Sequence, residues 1–344
     1  MKKQYSFRTI AAVGAIFAAS SCGPDLTASW QLTDFRILGV RATVTGDPTR
    51  VNPSRGEPTT LELVTADKQM RDVKVVWLIL SGASASGGLG ALGGLGGGMG
   101  GGTGADGGTD GGTPAIALCD FPQLALDLSG LQLRCGPRTQ FVPPMSGTGN
   151  SDGRGRDSLS IIGMACANGS IYLDTSGGLV PFKCTGEGSR GWAFSYTMIL
   201  RGMAGDNHQP RIRGVRAGLV GGPQTEVTMA NPFVARPCAD QTRNTMCPKV
   251  RFTVDFEPDA RESYTDINPT TRVVTTRTER LITGFITTGG KFDGAFRTDS
   301  EAIPMAPMEN DWLPLALPGT HRVLLYATDG RGGFVNTEVA VRAE

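Results

Sequence analysis

Residues 36–42 read Arg-Ile-Leu-Gly-Val-Arg-Ala, and residues 211–217 read Arg-Ile-Arg-Gly-Val-Arg-Ala. The two stretches differ only at their third position. The first lies within residues 35–45 (FRILGVRATVT), a β-branched and apolar stretch typical of a β-strand. A first strand that returns in the second half of the chain predicts a second module of the same kind. We therefore expect one domain at 35–207 and another at 208–344.

Further strands with turn residues between them extend outward from both copies. In residues 250–257 (VRFTVDFE), apolar side chains alternate with polar ones, which indicates a strand with one buried and one solvated face. Residues 320–328 and 334–342 flank Asp-Gly-Arg-Gly-Gly, where glycine supplies the positive φ of a hairpin turn. Other strands are predicted at 35–45, 59–65, 73–80, 159–162, 171–173, 192–200 and 281–288. Short strands without long segments of helical period favour an all-β fold of two tandem Ig-like β-sandwich domains.

A low-complexity tract interrupts the first domain at residues 82–113. Seventeen of its 32 residues are glycine. Glycine loses the most entropy on ordering, and the tract offers almost no apolar surface to bury in return. We expect a disordered loop inserted in the first sandwich.

The N-terminus has the order of a bacterial export signal. Lys2, Lys3 and Arg8 precede any acidic residue, and the apolar run 10–19 is about half of the roughly 20 residues that cross a bilayer core. The run leads to the small residues Ala-Ser-Ser and then Cys22. This ending resembles the lipobox, although that pattern prefers leucine where Ala19 stands. Ordinary signal cleavage with an incidental cysteine is the alternative.

These features predict a signal peptide at 1–21 and a lipid anchor and linker at 22–34, with lipid on Cys22. Two or three acyl chains anchor a protein stably, whereas one does so only marginally. Gly23 follows the cysteine instead of aspartate, which by similarity to known lipoprotein sorting favours the outer membrane, facing the periplasm or the surface. The expected partners are this membrane and an envelope protein or glycan that the sequence does not identify.

Charge excludes one class of partner. Loss of Lys2, Lys3 and Arg8 takes the formal net charge from +1 to −2. A mature chain with this balance lacks the basic surface that nucleic-acid binding requires.

Six of the seven cysteines remain once Cys22 carries lipid. An even number in an exported protein predicts disulfides, although 15 pairings are possible. We favour the sequential one, in which each bridge contributes about 2–3 kcal/mol through loop closure. The pairs are Cys119 with Cys135, Cys166 with Cys184, and Cys238 with Cys247. A metal site is not expected, because close Cys-x-x-Cys spacing is absent and the histidines are His208 and His321.

Candidate catalytic motifs are weak, and neither a catalytic residue nor a cofactor is expected. Residues 149–153 match Gly-x-Ser-x-Gly around Ser151, but a nucleophile elbow needs a strand before the serine and a helix after it, and the flanking residues favour neither. Asp255 and Glu257 share a strand face about 6–7 Å apart, as a general acid and base could. A solvated strand face is the simpler interpretation. Gly289-Gly290-Lys291 lacks the spacing of a phosphate loop and is interpreted as a turn.

Trp312 is the candidate ligand contact. It lies in Asn-Asp-Trp-Leu-Pro, a stretch that reads as a polar, proline-rich loop. An exposed indole there could bind a partner or a sugar ring, whereas packing at the end of a sandwich is the alternative.

Several of these stretches together resemble a family of tandem Ig-like lipoproteins abundant in myxobacteria and related gliding bacteria. The stretches are the lipobox, FRILGVRA with NPSRGEPTTLELV, NHQPRIRGVRA, and ITTGGKFDG followed by NDWLPLALPG and VLLYATDGRGG. The C-terminal hairpin also resembles PKD-type modules. The resemblance implies β-sandwiches in a surface or periplasmic setting and transfers no functional residue.

The sequence thus predicts a non-catalytic, membrane-anchored lipoprotein that acts as an interaction or scaffold module. A glycan-binding or adhesion lipoprotein, with Trp312 as a contact, is the first alternative. An envelope hydrolase with Ser151 as nucleophile is the second.

Overall fold

The computed structural model describes residues 29–80, 117–120, 125–128, 131–145, 150–151, 157–174, 181–202, 205–238, 247–268, 270–271, 273–299, 306–314 and 318–344. The described residues form strands, bridges and turns and contain no helix. Consequently no helix in this part of the chain is long and apolar enough to cross a membrane. The fold is all-β, built as two Ig-like β-sandwiches in tandem. The predicted signal peptide, Cys22 and the glycine tract 82–113 lie outside the described residues.

The strands of the first sandwich are β1 (Arg36–Val44), β2 (Thr59–Ala66), β3 (Val73–Leu80), β4 (Ala125–Leu128), β5 (Leu131–Cys135), β6 (Arg138–Phe141), β7 (Asn150–Ser151), β8 (Asp157–Ala167), β9 (Ser170–Leu173), β10 (Phe182–Thr185) and β11 (Arg190–Ile199). Sheet 1 has the order β1-β2-β6, and sheet 2 has the order β11-β8-β3-β5-β4 with β7 beside β8. β9 and β10 form a separate hairpin. All of these pairings are antiparallel.

The strands of the second sandwich are β12 (Ile212–Leu219), β13 (Thr225–Glu226), β14 (Phe233–Ala235), β15 (Val250–Phe256), β16 (Ser263–Ile267), β17 (Val274–Thr278), β18 (Ile282–Thr287), β19 (Lys291–Phe292), β20 (Phe296–Thr298), β21 (Met308–Leu313), β22 (Gly319–Thr328) and β23 (Phe334–Ala343). Sheet 3 has the order β13-β12-β15-β21-β19, and sheet 4 has the order β14-β23-β22-β18-β20. β16 and β17 pair only with each other.

At β3, sheet 2 is buried on both faces, because that strand is apolar in both directions. Toward sheet 1 it packs Trp77, Ile79 and Leu159 into the main core of the first sandwich. On its other face Val76 and Leu78 pack under a thin outer layer that includes β9 and β10. The run VKVVWLIL is therefore a central strand with no solvated face, as its continuous apolar composition predicts.

The second sandwich has one core between sheets 3 and 4. Its largest enclosed side chains include Phe252, Phe285, Phe292 and Trp312. In β15 the residues Val250, Phe252 and Val254 are 0% exposed, which confirms the predicted inward face of that strand.

The repeated first strand produces the same structural detail in both sandwiches. The pairing of β1 with β2 shifts register between Ile37 and Gly39, and the pairing of β12 with β15 shifts between Ile212 and Gly214. Such a shift is a β-bulge, which bends a strand and increases its twist. β1 and β12 are thus equivalent strands, each bulged at the same point of the repeat.

Candidate functional site

Trp312 does not lie in an exposed loop, so the interpretation of this residue as a ligand contact is wrong. It is on β21 with 0% of its surface exposed. The indole N–H donates to the Gly289 carbonyl at 3.0 Å, and the ring meets Phe252 edge-on at a centroid distance of 6.4 Å. The packing alternative is what the structure has. The polar residues beside Trp312 made this strand resemble an exposed loop. Asn310 is in fact buried, and its side chain donates to the Gly294 carbonyl and accepts from Arg297.

The Gly289-Gly290 segment is a turn, as expected, and it closes over this tryptophan. Gly290 has a φ of +81°, a conformation that favours glycine. A Cβ atom at Gly290 would lie 2.3 Å from the Trp312 Nε1 atom. The phosphate-loop appearance of this stretch therefore comes from the packing of a core tryptophan.

All three disulfides form, in the predicted sequential pairing. Cys135 on β5 and Cys166 on β8 project from the outer face of sheet 2. Their partners are Cys119 and Cys184, which belong to the outer layer. That layer buries a smaller apolar cluster than the main core, so two covalent links compensate for its limited packing. The third disulfide joins Cys238, which follows β14, to Cys247, which precedes β15.

Ser151, His208 and His321 lie in different parts of the fold. Ser151 is in β7, paired antiparallel with Asp157 at the start of β8. His208 pairs through Nδ1 with Glu262, and His321 packs beside Trp312 at a ring distance of 6.2 Å. Burial lowers the pKa of His321. His208 also forms an isolated backbone bridge with Arg50, so it contacts both sandwiches, whereas the Trp312 neighbour of His321 belongs to the second.

Asp255 is a structural carboxylate rather than part of a solvated pair. It is 8% exposed and accepts two hydrogen bonds from Arg216, at 2.6 and 3.0 Å. Thr253 on the same face is 1% exposed, so the expected solvated face of β15 is largely covered. A cavity of about 130 Å³ adjoins Asp255, lined by charges of both signs that include Arg213, Glu257 and Arg261.

The junction between the sandwiches holds a network of buried polar groups that the sequence did not reveal. Gln209 bridges the two sandwiches, because its Nε2 donates to the Ala42 carbonyl at 2.6 Å and its Oε1 accepts from the Phe334 amide at 2.8 Å. The Tyr196 hydroxyl donates to the Gly332 carbonyl at 3.3 Å. The predicted boundary at 207–208 therefore falls inside a structured connection that contacts both sides.

Arg331 is the centre of the polar part of this junction. Its side chain is 3% exposed and donates to Glu279 at 2.7 Å and to the Asp206 carbonyl at 3.1 Å. The guanidinium lies 4.6 Å from the centroid of the Tyr264 ring. Asp329 accepts from the backbone amides of Arg331 and Gly333 at 2.7 and 2.9 Å. The DGRGG hairpin, which its glycines predicted, thus also supplies the buried polar groups of the junction.

Three carboxylates lie around this one arginine: Glu279, Asp329 and, at 3.9 Å, Glu262. Burial, together with the nearby Asp329 carboxylate, raises the pKa of Glu279 to about 8. Burial also raises the pKa of Asp329. A proton held on Glu279 leaves the group of Glu279, Asp329 and Arg331 electrically neutral, which suits an interior with little water.

Among the described residues, no group of three or more His, Cys, Asp or Glu side chains is arranged to hold a metal ion.

The apolar part of the junction brings in residues that the sequence assigned to a linker. Leu32 is 1% exposed and packs with Ala66 of the first sandwich and with Ile286 and Leu324 of the second. The Leu32 amide donates to the Thr287 carbonyl, and the Thr287 amide donates to the Trp30 carbonyl, both at 2.8 Å. The segment 29–32 therefore adds to the edge of β18 before the chain enters β1. Residues 29–32 of the predicted linker are therefore bonded to the second sandwich.

β11, the end strand of sheet 2, is exposed on one face. Its pairing with β8 continues without a register shift from Arg190 to Ile199. Residues Arg190, Gly191, Ala193, Ser195 and Thr197 are exposed. Trp192, Phe194 and Tyr196 alternate with them, point toward the main core and remain half-buried.

Comparison with known proteins identifies no family. No protein-family model matches the chain, and no curated protein matches it. Among solved structures, the chain is similar to the D00-D0 domain of intimin, with 11% sequence identity, a TM-score of 0.20, and coverage of 88% of this chain and 98% of that one. A similarity at this level carries no argument about function, and the fold assignment depends on the strand pairing.

Proposed function

We propose that the protein is a non-catalytic lipoprotein, tethered to the outer membrane through Cys22, that presents two firmly joined sandwiches as an interaction or scaffold module. The observation that carries the proposal is the course of residues 29–32. The chain that follows the predicted lipid site is bonded to β18 of the second sandwich, and its Leu32 also packs against Ala66 of the first. The anchor is therefore connected to both sandwiches at the junction.

The extracytoplasmic part of the proposal draws support from the cysteines. Three disulfides in one chain suit an oxidising compartment, because cytosolic thiols are kept reduced. The export signal and small-residue cleavage site point to the same compartment. Trp312 supplies no surface for a sugar, so the glycan-binding alternative loses its contact residue.

The tether is tested by labelling cells with an alkyne palmitate and separating their membranes. The unmodified protein is expected to carry the label and to sediment with membranes, whereas Cys22→Ala loses both properties. Ser21→Ala is the matched control, because it keeps a small residue at the cleavage site and the thiol next to it. Label retained by Cys22→Ala would overturn the tether. Labelling of Ser151 by a fluorophosphonate probe would overturn the non-catalytic assignment.

A further inference from the structure

The end strands of the sheets differ sharply in how they are protected. In the described part of the chain, β4, β6, β13, β14, β19 and β20 each have at most four residues. β1 has nine, but it lies against the second sandwich, where Ala42 accepts from Gln209 and Gly39 faces the Phe334 ring. β11 has ten residues, and no described strand pairs with its outer side. Tyr196 on its core-facing side bonds to Gly332 of the second sandwich, but among the described sheets β11 is the long end strand whose outer edge no described strand covers.

β11 also lacks the features that usually prevent strands from pairing edge to edge. Natural proteins protect open edges with charges, proline or a bulge. From Gly191 to Ile199 the strand has no charged residue and no proline, and its register is unbroken. Arg190 at its start is the single charge. An edge of this composition is suited to the addition of another strand.

The side chains of β11 match a second copy of the same strand. In an antiparallel pair centred on Phe194, each Phe194 faces its counterpart and Trp192 faces Tyr196. On the other face Ala193 meets Ser195 and Gly191 meets Thr197. The half-buried rings thereby pair with rings, and small side chains pair with small ones. Arg190 faces Met198, so the register brings no like charges together.

We propose that the protein forms a two-fold dimer in which β11 pairs antiparallel with β11 of a second copy. Because the dyad is perpendicular to the sheet, the core-facing sides of both strands stay on one side, and sheet 2 continues from one copy into the other. The interface is isologous and closes on itself, so it stops at two copies. The proposal does not require the lipid anchor.

The register is tested with paired charges at positions 193 and 195, which face each other across the dyad. Ala193→Lys with Ser195→Lys places lysine opposite lysine twice and is expected to weaken dimerisation about tenfold or more. Ala193→Lys with Ser195→Glu places lysine opposite glutamate twice and is expected to keep the dimer. Both variants change only exposed side chains, so thermal unfolding of the monomer reports whether either has simply misfolded.

Sedimentation of the purified full chain in density-matched detergent, over a range of concentrations, measures the association. The control is Val274→Lys with Thr276→Lys, since β17 is an exposed strand outside sheet 2. It is expected to dimerise as the unmodified protein does. The unmodified protein is measured over a 100-fold range of concentrations that ends at about 0.1 mM. If it is monomeric throughout that range, the proposal is overturned. A lysine–glutamate variant as weak as the double-lysine variant, or a control equally weakened, also overturns it. Failure of palmitate labelling would leave this measurement unaffected, so the two proposals fail separately.

Discussion

Arg331 is a buried cation whose hydrogen-bond partner Glu279 is also buried, so the cost of desolvating the two groups is large. Their side chains are 3% and 1% exposed. Such pairs often contribute little net stability, whereas removal of one partner leaves an uncompensated buried charge. Here burial, and after it the nearby Asp329 carboxylate, raises the pKa of Glu279 to about 8, so Glu279 carries a proton below that pH. The protonation of one residue therefore adjusts the stability of the junction.

The stability of the junction is expected to fall as pH rises from about 4.5 to about 8. The pKa of Glu279 is raised from 4.5 to about 8 in the folded protein, so in this range the folded state holds a proton that the unfolded chain releases. The contribution is complete below the lower value and lost above the upper one. Denaturation at a series of pH values measures the slope.

Glu279→Gln is expected to flatten this pH dependence, because an amide cannot titrate. The pKa of Asp329 is also raised by burial, so a residual slope of the same sign is expected to remain. Glu338→Gln is the matched control, since that carboxylate pairs with Arg322 on a partly exposed surface away from Arg331. An unchanged slope in Glu279→Gln would exclude Glu279 as the titrating group.

Among the elements, the two bulged strands show how one motif serves two settings. β1 and β12 share inward alanines that are 0% exposed, Ala42 and Ala217. Their bulge glycines differ in surroundings. A Cβ at Gly39 would lie 2.5 Å from the Phe334 ring, whereas nothing lies within 4 Å of a Cβ at Gly214. The first copy of the repeat contacts the other sandwich at its bulge, and the second copy is open there.

Alanine substitution is expected to separate these two roles. Gly39→Ala forces Phe334 out of place at the junction and is expected to cost about 1–3 kcal/mol of unfolding free energy. Gly214→Ala meets open space and restricts the unfolded chain, so it is expected to be neutral or to stabilise by up to about 1 kcal/mol. Chemical denaturation followed by tryptophan fluorescence measures both. Equal losses in the two variants would show that the bulge itself, rather than the contact with Phe334, requires glycine.

The elements that sequence predicted are those with strong local patterns. Alternation located β15, continuous apolar composition located β3, and glycine in the turn located the β22–β23 hairpin. Strands such as β13 and β19 have two residues, too few to show a period. β21 was missed because buried Asn310 and outward-facing Glu309 and Asp311 made it look like a loop. The junction was out of reach, since Gln209 and Ala42 are separated by 167 positions in the chain.

At the scale of the whole molecule, chain order and spatial order differ. Residues 29–32 precede the first sandwich in sequence but bond to β18 of the second. Gln31 pairs with Thr287 as an isolated parallel bridge, and Trp30 packs against the second core. The N-terminal segment thus crosses the second sandwich before it begins the first. This crossing, the 205–209 connection and the DGRGG hairpin are three separate links between the sandwiches.

Leu32 is the residue on which this crossing depends most. Leu32→Ala removes an enclosed side chain from a cluster shared by both sandwiches, and such truncations cost about 2–5 kcal/mol. Because the small cluster has only Ala66, Ile286 and Leu324 as its other fully buried members, the loss is expected to free the segment before either main core opens. Hydrogen exchange should then be faster at the Leu32 and Thr287 amides, which make the two bonds of the crossing.

Leu80→Ala is the matched control, since Leu80 is equally enclosed but lies under the outer layer of sheet 2. That variant should lose stability while both junction amides stay protected. If instead these amides exchange in Leu32→Ala as slowly as in the unmodified protein, the 205–209 connection and the hairpin hold the junction without the crossing, and the tether does not load both sandwiches.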